Sequence, residues 1–241
     1  MKTFLFSCLL LLGILSCSKE DKPAPAVVEN QSFVEEFDTA SAATERGWIF
    51  TNKSIDPGTT NWGNPSTPPF PAFSWSTNPN GYLWADYNST SSAAGVISNW
   101  AVSPVITMQN GDRITFYTRA EIFYFNDDST DFTNRLQVRL NARNTGQETG
   151  SGTTTGDFSI LLLDINPGYN EFLYSKWTGR DPGALNAYPH RWTRFEAVVS
   201  GLAGPTPGRF AFRYFVEDAG NNGRSGSIGV DRVEYLGKNT H

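Results

Sequence analysis

The sequence has little cysteine and little histidine. Of its 241 residues, two are cysteines, Cys8 and Cys17, and two are histidines, His190 and His241. Two cysteines exclude the dense disulfide frameworks of small secreted domains. Two histidines, one of them the last residue, give no histidine pair of the kind that zinc sites use. We therefore expect a hydrophobic core to stabilise the fold, with a metal ion as a possible further source of stability.

The sequence also lacks a long hydrophobic run and an excess of basic residues. Its apolar run, residues 4–15, is shorter than the roughly 20 residues that a membrane-spanning helix needs. Lys2 precedes the run, so the pattern predicts a signal peptide and not a membrane span. The chain has 24 acidic and 19 basic residues, a net charge of −5. Without a basic patch, nucleic acid is not expected as a partner.

The residues after the apolar run indicate a lipid anchor. The stretch ILSC, which ends at Cys17, resembles the bacterial lipobox, in which the cysteine becomes the lipidated first residue. SKED at 18–21 is similar to the surface-export signal of Bacteroidetes lipoproteins. We predict a signal peptide over 1–16, lipidation at Cys17, a Pro/Ala-rich tether over 17–31 and an outer-membrane location exposed at the cell surface. The alternative is an ordinary signal peptide with a chance cysteine.

The remaining chain is dominated by alternation of apolar and polar residues. Leu136, Val138 and Leu140 fall on one face of an extended segment, with polar residues between them. Strand patterns of this kind occur at 33–37, 48–51, 82–86, 95–97, 100–102, 112–119, 135–141, 158–165, 193–199, 209–216 and 228–236. Residues 40–46 favour one short helical turn. Gly and Pro are plentiful, at 22 and 14 residues, which suits strands joined by irregular loops.

About ten short strands with one wet face per sheet predict an all-β fold, an antiparallel two-sheet β-sandwich. We assign residues 32–237 to one domain and 238–241 to a C-terminal tail. Two long loops stand out. Residues 51–80 are expected to be ordered because they carry several aromatic side chains, whereas the Gly/Thr-rich residues 145–157 are expected to be loose.

Three stretches together resemble a known family. They are FVEEFD at 33–38 with GW at 47–48, GVISNWAVSPVI at 95–106 with GD at 111–112, and IGVDRVEY at 228–235. They are similar to the choice-of-anchor J, or cleaved-adhesin-like, domain of bacterial surface proteins. The family has a DWLxTP-like run where this chain has NWAVSP at 99–104, a modest departure. The resemblance implies a jelly-roll β-sandwich that binds an extracellular ligand and is not an enzyme.

Three acids, Glu36, Asp38 and Asp231, are candidate ligands of a structural Ca²⁺. The resemblance implies that acids of the first and last strands can meet around such an ion. Alternation along a strand would place Glu36 and Asp38 on the same face. Asp231 lies in an apolar strand, where an unpaired carboxylate would be costly. The alternative is that Asp231 accepts backbone hydrogen bonds or pairs with an arginine.

A second acidic stretch, NDDSTD at 126–131, lacks the glycine and glutamate of an EF-hand loop. Its turn-forming residues favour a solvated hairpin tip over a metal site. DST at 128–130 and DTA at 38–40 also resemble the O-glycosylation motif of Bacteroidetes, a short pattern that occurs often by chance.

Trp62 and Trp75 are candidate ligand-binding residues, because flat aromatic faces stack on sugar rings and both lie in a polar loop. The alternative is that they pack the loop onto the sandwich. Trp84 and Trp100 lie in strand patterns and are expected in the core. No Ser/His/Asp arrangement is defensible, and the adjacent Glu35 and Glu36 would point to opposite faces, unlike a glycosidase pair.

The sequence thus predicts a cell-surface lipoprotein with an adhesin-like extracellular binding domain, stabilised by calcium and not enzymatic. Its partners would be an extracellular glycan or protein, with the membrane contacted only through the lipid anchor. The alternative is a glycan-binding accessory lipoprotein for polysaccharide capture, and a jelly-roll glycoside hydrolase is the third hypothesis.

Overall fold

The computed structural model describes residues 29–73, 78–175, 179–180 and 185–238. The predicted signal peptide, the lipidation site Cys17, most of the tether and Trp75 lie outside the described residues. Within them, helix α1 spans Ala40–Glu45 and a 3₁₀ helix spans Tyr87–Ser89. The strands in chain order are β1 (Phe33–Glu35), β2 (Ile49–Asn52), β3 (Leu83–Asp86), β4 (Gly95–Val102), β5 (Ile106–Met108), β6 (Arg113–Ala120), β7 (Phe123–Phe125), β8 (Asp128–Thr130), β9 (Leu136–Asn141), β10 (Ile160–Ile165), β11 (Leu173–Ser175), β12 (Gly179–Arg180), β13 (Thr193–Val198), β14 (Thr206–Ala219) and β15 (Ser227–Leu236).

Two large antiparallel sheets form the body of the molecule. In the first sheet, β1 and β3 both pair with β15, which is followed by β6 and β13. In the second sheet, the order is β10, β9, β14, β4 and β2, and β5 pairs with the start of β14. The predicted antiparallel sandwich is confirmed.

The connections between the sheets follow the jelly-roll path. Strands β3, β6, β13 and β15 lie in the first sheet in the order β3-β15-β6-β13. Strands β4, β9, β10 and β14 lie in the second in the order β4-β14-β9-β10. The chain therefore crosses between the sheets repeatedly. The last strand, β15, lies between β3 and β6, as in a jelly roll.

The core lies between the two sheets and is filled by alternate residues of their strands. Phe116 of the first sheet meets Phe212 of the second edge-on, with ring centroids 4.8 Å apart. Phe210 packs in the same layer against Trp48, at 5.7 Å. Both β6 and β14 read as half-buried strands in the sequence, and their apolar faces meet here as that pattern predicts.

A third, small sheet was not predicted. It consists of β7, β8, β11 and β12 in the order β12-β11-β8-β7. Its first two strands form a hairpin whose turn is Asn126-Asp127, so the expected hairpin tip at 126–131 is present. The tip is not solvated throughout, because Asp131 is fully buried.

The loop at 145–157 is expected from its sequence to be loose, but hydrogen bonds hold it against the second sheet. Arg213 of β14 lies beneath it, 1% exposed, and donates to the carbonyl oxygens of Gly152 and Thr154. The backbone N–H of Gly152 also donates to Lys53 O at 2.8 Å. The loop thereby covers part of the outer face of the second sheet, where Trp100 and Phe158 pack at 5.6 Å.

The short helix occurs where the sequence favours one. Thr39 is its N-cap and accepts the N–H of Ala42 through its side chain, and the chain turns after the helix at Gly47 with φ of +96°. In the part of the chain that the structure describes, no helix has the length and apolar character needed to cross a bilayer.

Candidate functional site

The predicted calcium ligand Asp231 lies at a bulge of β15. At this point β15 changes its partner on one side from β3 to β1, and the register with β6 shifts between Asp231 and Glu234. The bulge turns the buried Asp231 carboxylate onto backbone donors. Its Oδ2 accepts the N–H of Phe73 at 2.8 Å, and its Oδ1 accepts the N–H of Arg232 at 2.7 Å.

The other two predicted ligands do not lie in a strand. Strand β1 ends at Glu35, and Phe37 has a φ of +52°, so the expectation that Glu36 and Asp38 share a strand face is wrong. Glu36 instead forms an ion pair with Arg232, at 2.9 Å between Oε1 and Nη1. The residue before it, Glu35, is buried and binds Arg46 through two hydrogen bonds of 2.8 and 2.6 Å.

These contacts assign Glu36 to an ion pair and Asp231 to backbone hydrogen bonds. The Oε2 atom of Glu36 is buried without a hydrogen-bond partner, which is the one feature compatible with an added cation. Across the described ranges, no group of three or more His, Cys, Asp and Glu side chains is arranged to hold a metal ion. The calcium site formed by Glu36, Asp38 and Asp231 stays a prediction.

The prediction that Trp62 offers an exposed face to a ligand is wrong. Its side chain is only 3% exposed. The indole Nε1 donates to Asn99 O at 3.0 Å, and the ring packs edge-on against Tyr214 with centroids 6.3 Å apart. Trp62 therefore fastens the 51–80 loop to the sandwich, which is the alternative that the sequence left open. Trp75 lies outside the described residues.

A groove at one end of the sandwich is a better candidate site. It consists of two hollows that share Asn221, an aromatic one of about 250 Å³ and a polar one of about 200 Å³. The aromatic hollow is lined by Tyr87, Phe123, Phe132, Gly220, Asn221, Gly223 and Ser225. The polar hollow is lined by Gly58, Thr59, Asn88, Thr90, Ser91, Ser92 and Asn221.

The aromatic hollow is built by three segments that are distant in the sequence. Phe123 of β7 packs against Phe132 with centroids 5.1 Å apart. The N–H of Tyr87 donates to Gly226 O at 2.9 Å, and the N–H of Ser225 donates to Phe132 O at 2.7 Å. All three aromatic rings are partly exposed, so each presents a face or edge to the hollow.

Two carboxylates accept hydrogen bonds from the lining of the polar hollow. The hydroxyl of Ser92 donates to Asp56 Oδ2 at 2.7 Å, and the amide of Asn88 donates to Asp86 Oδ2 at 2.8 Å. The connections at 87–95 and 220–226 touch at Gly220, where φ is +117° and an added Cβ would lie 2.1 Å from Ser92 O. Only glycine fits there, so the shape of the groove depends on it.

Beneath the aromatic hollow lies a buried carboxyl. Asp131 Oδ1 accepts the N–H groups of Thr133 and Phe172, at 3.1 and 2.9 Å, while its Oδ2 is buried without a hydrogen-bond partner. Burial raises the pKa of Asp131 to about 7 with a smaller contribution from the Glu171 carboxylate, against the lowering effect of the backbone donors. The adjacent Phe132 and Thr133 both have positive φ, of 54° and 55°.

A larger cleft of about 550 Å³ opens between β10 and the residues that precede β13. Two polar residues of its lining, Asp164 and Asn166, are already engaged in structural contacts. Asp164 binds Arg135 through two hydrogen bonds of 2.8 and 2.7 Å. Asn166 donates to Asn134 O and Asn170 O. Leu185 of its lining directly follows residues 181–184 in the sequence, which lie outside the described residues, and the groove is therefore the better-defined site.

Sequence reasoning missed the groove. The signals were present in YNSTSSAAG at 87–95 and GNNGRSG at 220–226, two Asn/Ser/Gly-rich connections that each follow a strand. Such composition marks turns and, by itself, no site. Phe123 and Phe132 flank the acidic stretch at 126–131, whose composition predicts a hairpin tip and not an aromatic hollow.

No family model matches this sequence, and no curated protein matches it. Among solved structures, the chain is similar to the K1 cleaved adhesin domain of Lys-gingipain from Porphyromonas gingivalis W83, at 16% identity and a TM-score of 0.49, covering 86% of this chain and 98% of that one. It is also similar to a family 11 carbohydrate-binding module from Clostridium thermocellum, at 12% identity and a TM-score of 0.32, covering 91% and 95%. A likeness at this level carries no statement about the ligand, and the choice-of-anchor J assignment stays a prediction.

Proposed function

We propose that the protein is an extracellular binding domain that takes a carbohydrate at the loop-end groove. The observation that carries this proposal is the pairing of three partly exposed rings, Tyr87, Phe123 and Phe132, with a neighbouring set of amides and hydroxyls. Aromatic faces pack on the C–H faces of sugar rings, and fixed amides and hydroxyls bind their OH groups. The arrangement binds and orients a ligand without a nucleophile or a carboxylate pair in its lining.

The groove supports the glycan-capture hypothesis more than a protein-docking one. Its two hollows are of the size of single sugar rings, and their polar end is rigid because Asp56 and Asp86 fix Ser92 and Asn88. A rigid polar site loses little entropy on binding a small ligand. An adhesin that recognises a glycan on another cell would use the same chemistry, so the two hypotheses share this site.

A glycan array probed with the purified protein tests the proposal. We expect wild type to bind one class of oligosaccharide and Tyr87→Ala to weaken that binding about ten-fold or more, since a stacked ring contributes on the order of 1–2 kcal/mol. Tyr124→Ala is the matched control, because Tyr124 is 80% exposed on β7 and does not line the groove. Equal losses in both variants, or none in Tyr87→Ala, would contradict the assignment.

We also propose that Cys17 carries lipid and anchors the domain at the outer cell surface. The support is the sequence ILSC ending at Cys17 and the SKED that follows it. Growth with an alkyne fatty acid should label the wild-type protein, and Cys17→Ser should lose the label and leave the membrane fraction. Surface exposure is then checked by protease shaving of intact cells. Labelling that persists in Cys17→Ser would show that the anchor is elsewhere.

A further inference from the structure

The groove carries no charged side chain among its lining residues. Both hollows are lined by aromatic, amide, hydroxyl and glycine groups alone. A site for an acidic sugar, a sulfate or a phosphate normally supplies an arginine, a lysine or a cluster of backbone N–H groups to balance the ligand charge. The composition of this lining offers donors and acceptors of neutral type.

The charges behind the lining are negative. Asp86, which is buried, accepts a hydrogen bond from the Asn88 amide at 2.8 Å, and the exposed Asp56 accepts one from the Ser92 hydroxyl at 2.7 Å. An anionic group bound at Ser92 or Asn88 would therefore lie one side chain away from a carboxylate. At such separations like charges repel, and the repulsion is stronger at the buried Asp86 than at the exposed Asp56.

Arg224, a cation beside the groove in the described part of the chain, is already paired. Arg224, one residue from Gly223, forms an ion pair with Asp218 at 2.9 Å and lies over the ring of Tyr169 at 4.8 Å. Its charge is thereby balanced by Asp218 and is directed away from the lining. Tyr87, Asn88 and Asn221 leave only neutral donors for a ligand.

We propose that the groove selects an uncharged oligosaccharide, with one ring in the aromatic hollow, the next in the polar hollow, and Asn221 binding both. This inference rests on the proposed function and narrows its ligand to neutral glycans. Uronate-containing and sulfated chains are rejected by Asp56 and Asp86. Because no charge pair forms, the affinity is insensitive to salt.

The experiment compares matched neutral and acidic chains on the full-length protein. Neutral glucan and mannan oligosaccharides are titrated by calorimetry alongside the same chains oxidised at C6 to uronates. We expect a neutral chain to bind at least ten-fold more tightly than its oxidised form, at both low and high salt. An oxidised chain that binds as tightly, or more tightly at low salt, would overturn the selectivity. Binding of neither form would overturn the proposed function and, with it, this inference.

Variants that add a charge test whether charge, and not shape alone, sets the selectivity of the groove. Thr59→Lys places a cation at an exposed position of the polar hollow and should raise the affinity for the oxidised chain several-fold, with little change for the neutral one. Tyr124→Lys adds the same charge outside the groove and should change neither. If both lysine variants act alike, the effect is long-range, and the groove is not where the acidic chain is rejected. Thermal melts of each variant establish that it is folded.

Discussion

Two ionisable residues show how this fold tolerates buried charge. Arg213 is almost fully buried and has no carboxylate partner within the described part of the chain. It donates instead to Ser98 Oγ, Gln137 Oε1 and two loop carbonyls, and burial lowers its pKa to about 9. Asp131 is the acidic counterpart, with one oxygen bound to two backbone donors and the other without a partner. Neither residue was singled out by sequence, because burial is a property of the assembled sheets.

Asp131 gives the protein a pH-dependent stability. Its pKa of about 7 in the folded state lies above the ordinary value near 3.9, so the folded state binds more protons than the unfolded state between about pH 4 and 7. Stability from this group is therefore present in full below about pH 4 and is lost as pH rises through 7. The loss has an upper bound of about 4 kcal/mol.

Urea unfolding at half-unit steps from pH 5 to 8 checks this. The Asp131→Asn variant should remove the decline, and the difference between the two proteins isolates this residue from Glu121, whose pKa burial also raises. A wild-type stability that is flat or rises over this interval would contradict the assignment, as would an unchanged slope in Asp131→Asn.

At the scale of elements, strands β14 and β15 organise both the sheets and the site. β14 lies between β9 and β4, β15 lies between β6 and the pair β1 and β3, and the connection joining them carries Asn221. The alternating patterns predicted all of the long strands. The missed strands β5, β7, β8, β11 and β12 have two or three residues each, too few to establish a period.

One side chain, Arg213, helps to hold the 145–157 loop against the second sheet. Arg213→Met keeps the volume but removes the donors to Gly152 O and Thr154 O, and we expect the free energy of unfolding to fall by about 1–3 kcal/mol because the Gly152 carbonyl stays buried. Urea unfolding measures the loss, and hydrogen exchange of the loop amides should quicken. Arg194→Met, at an exposed arginine of β13, is the control and should change stability by less than about 0.5 kcal/mol. Equal effects in the two variants would show that Arg213 does not hold the loop.

At the scale of the whole molecule, the fold is a jelly-roll sandwich with a small accessory sheet and a neutral groove at one end. The groove joins residues 58–59, 87–92, 123–132 and 220–225, which no local pattern connects. The sequence predicts an aromatic contribution to a ligand site from Trp62 and Trp75, but Trp62 is buried, and the partly exposed rings of the proposed groove belong to other residues. The acidic stretch at 126–131 supplies part of the support for this groove.

The predicted calcium site depends on the whole fold, because Glu36 and Asp231 come from opposite ends of the domain sequence. A structural site of micromolar affinity would gain about 4 kcal/mol from millimolar Ca²⁺ and raise the melting temperature by several degrees. Melts in EDTA, in Ca²⁺ and in Mg²⁺ measure this. The shift should be specific to Ca²⁺ and be lost in Asp231→Asn. Without a shift, the calcium prediction is wrong, and Glu36 serves in its ion pair with Arg232 while Asp231 accepts backbone hydrogen bonds.

The sequence by itself determined the class of fold, the long strands and the short helix, because hydrophobic period and capping are local properties of the chain. It also supplied the expectation of a lipid anchor at Cys17. Tertiary structure decided what Glu36 and Trp62 do, since a chain turn at Phe37 and burial beneath a loop override their positions in the sequence. Only the tertiary structure forms the groove. The segments that line it become neighbours when β3 pairs with β15 in the first sheet and β4 pairs with β14 in the second.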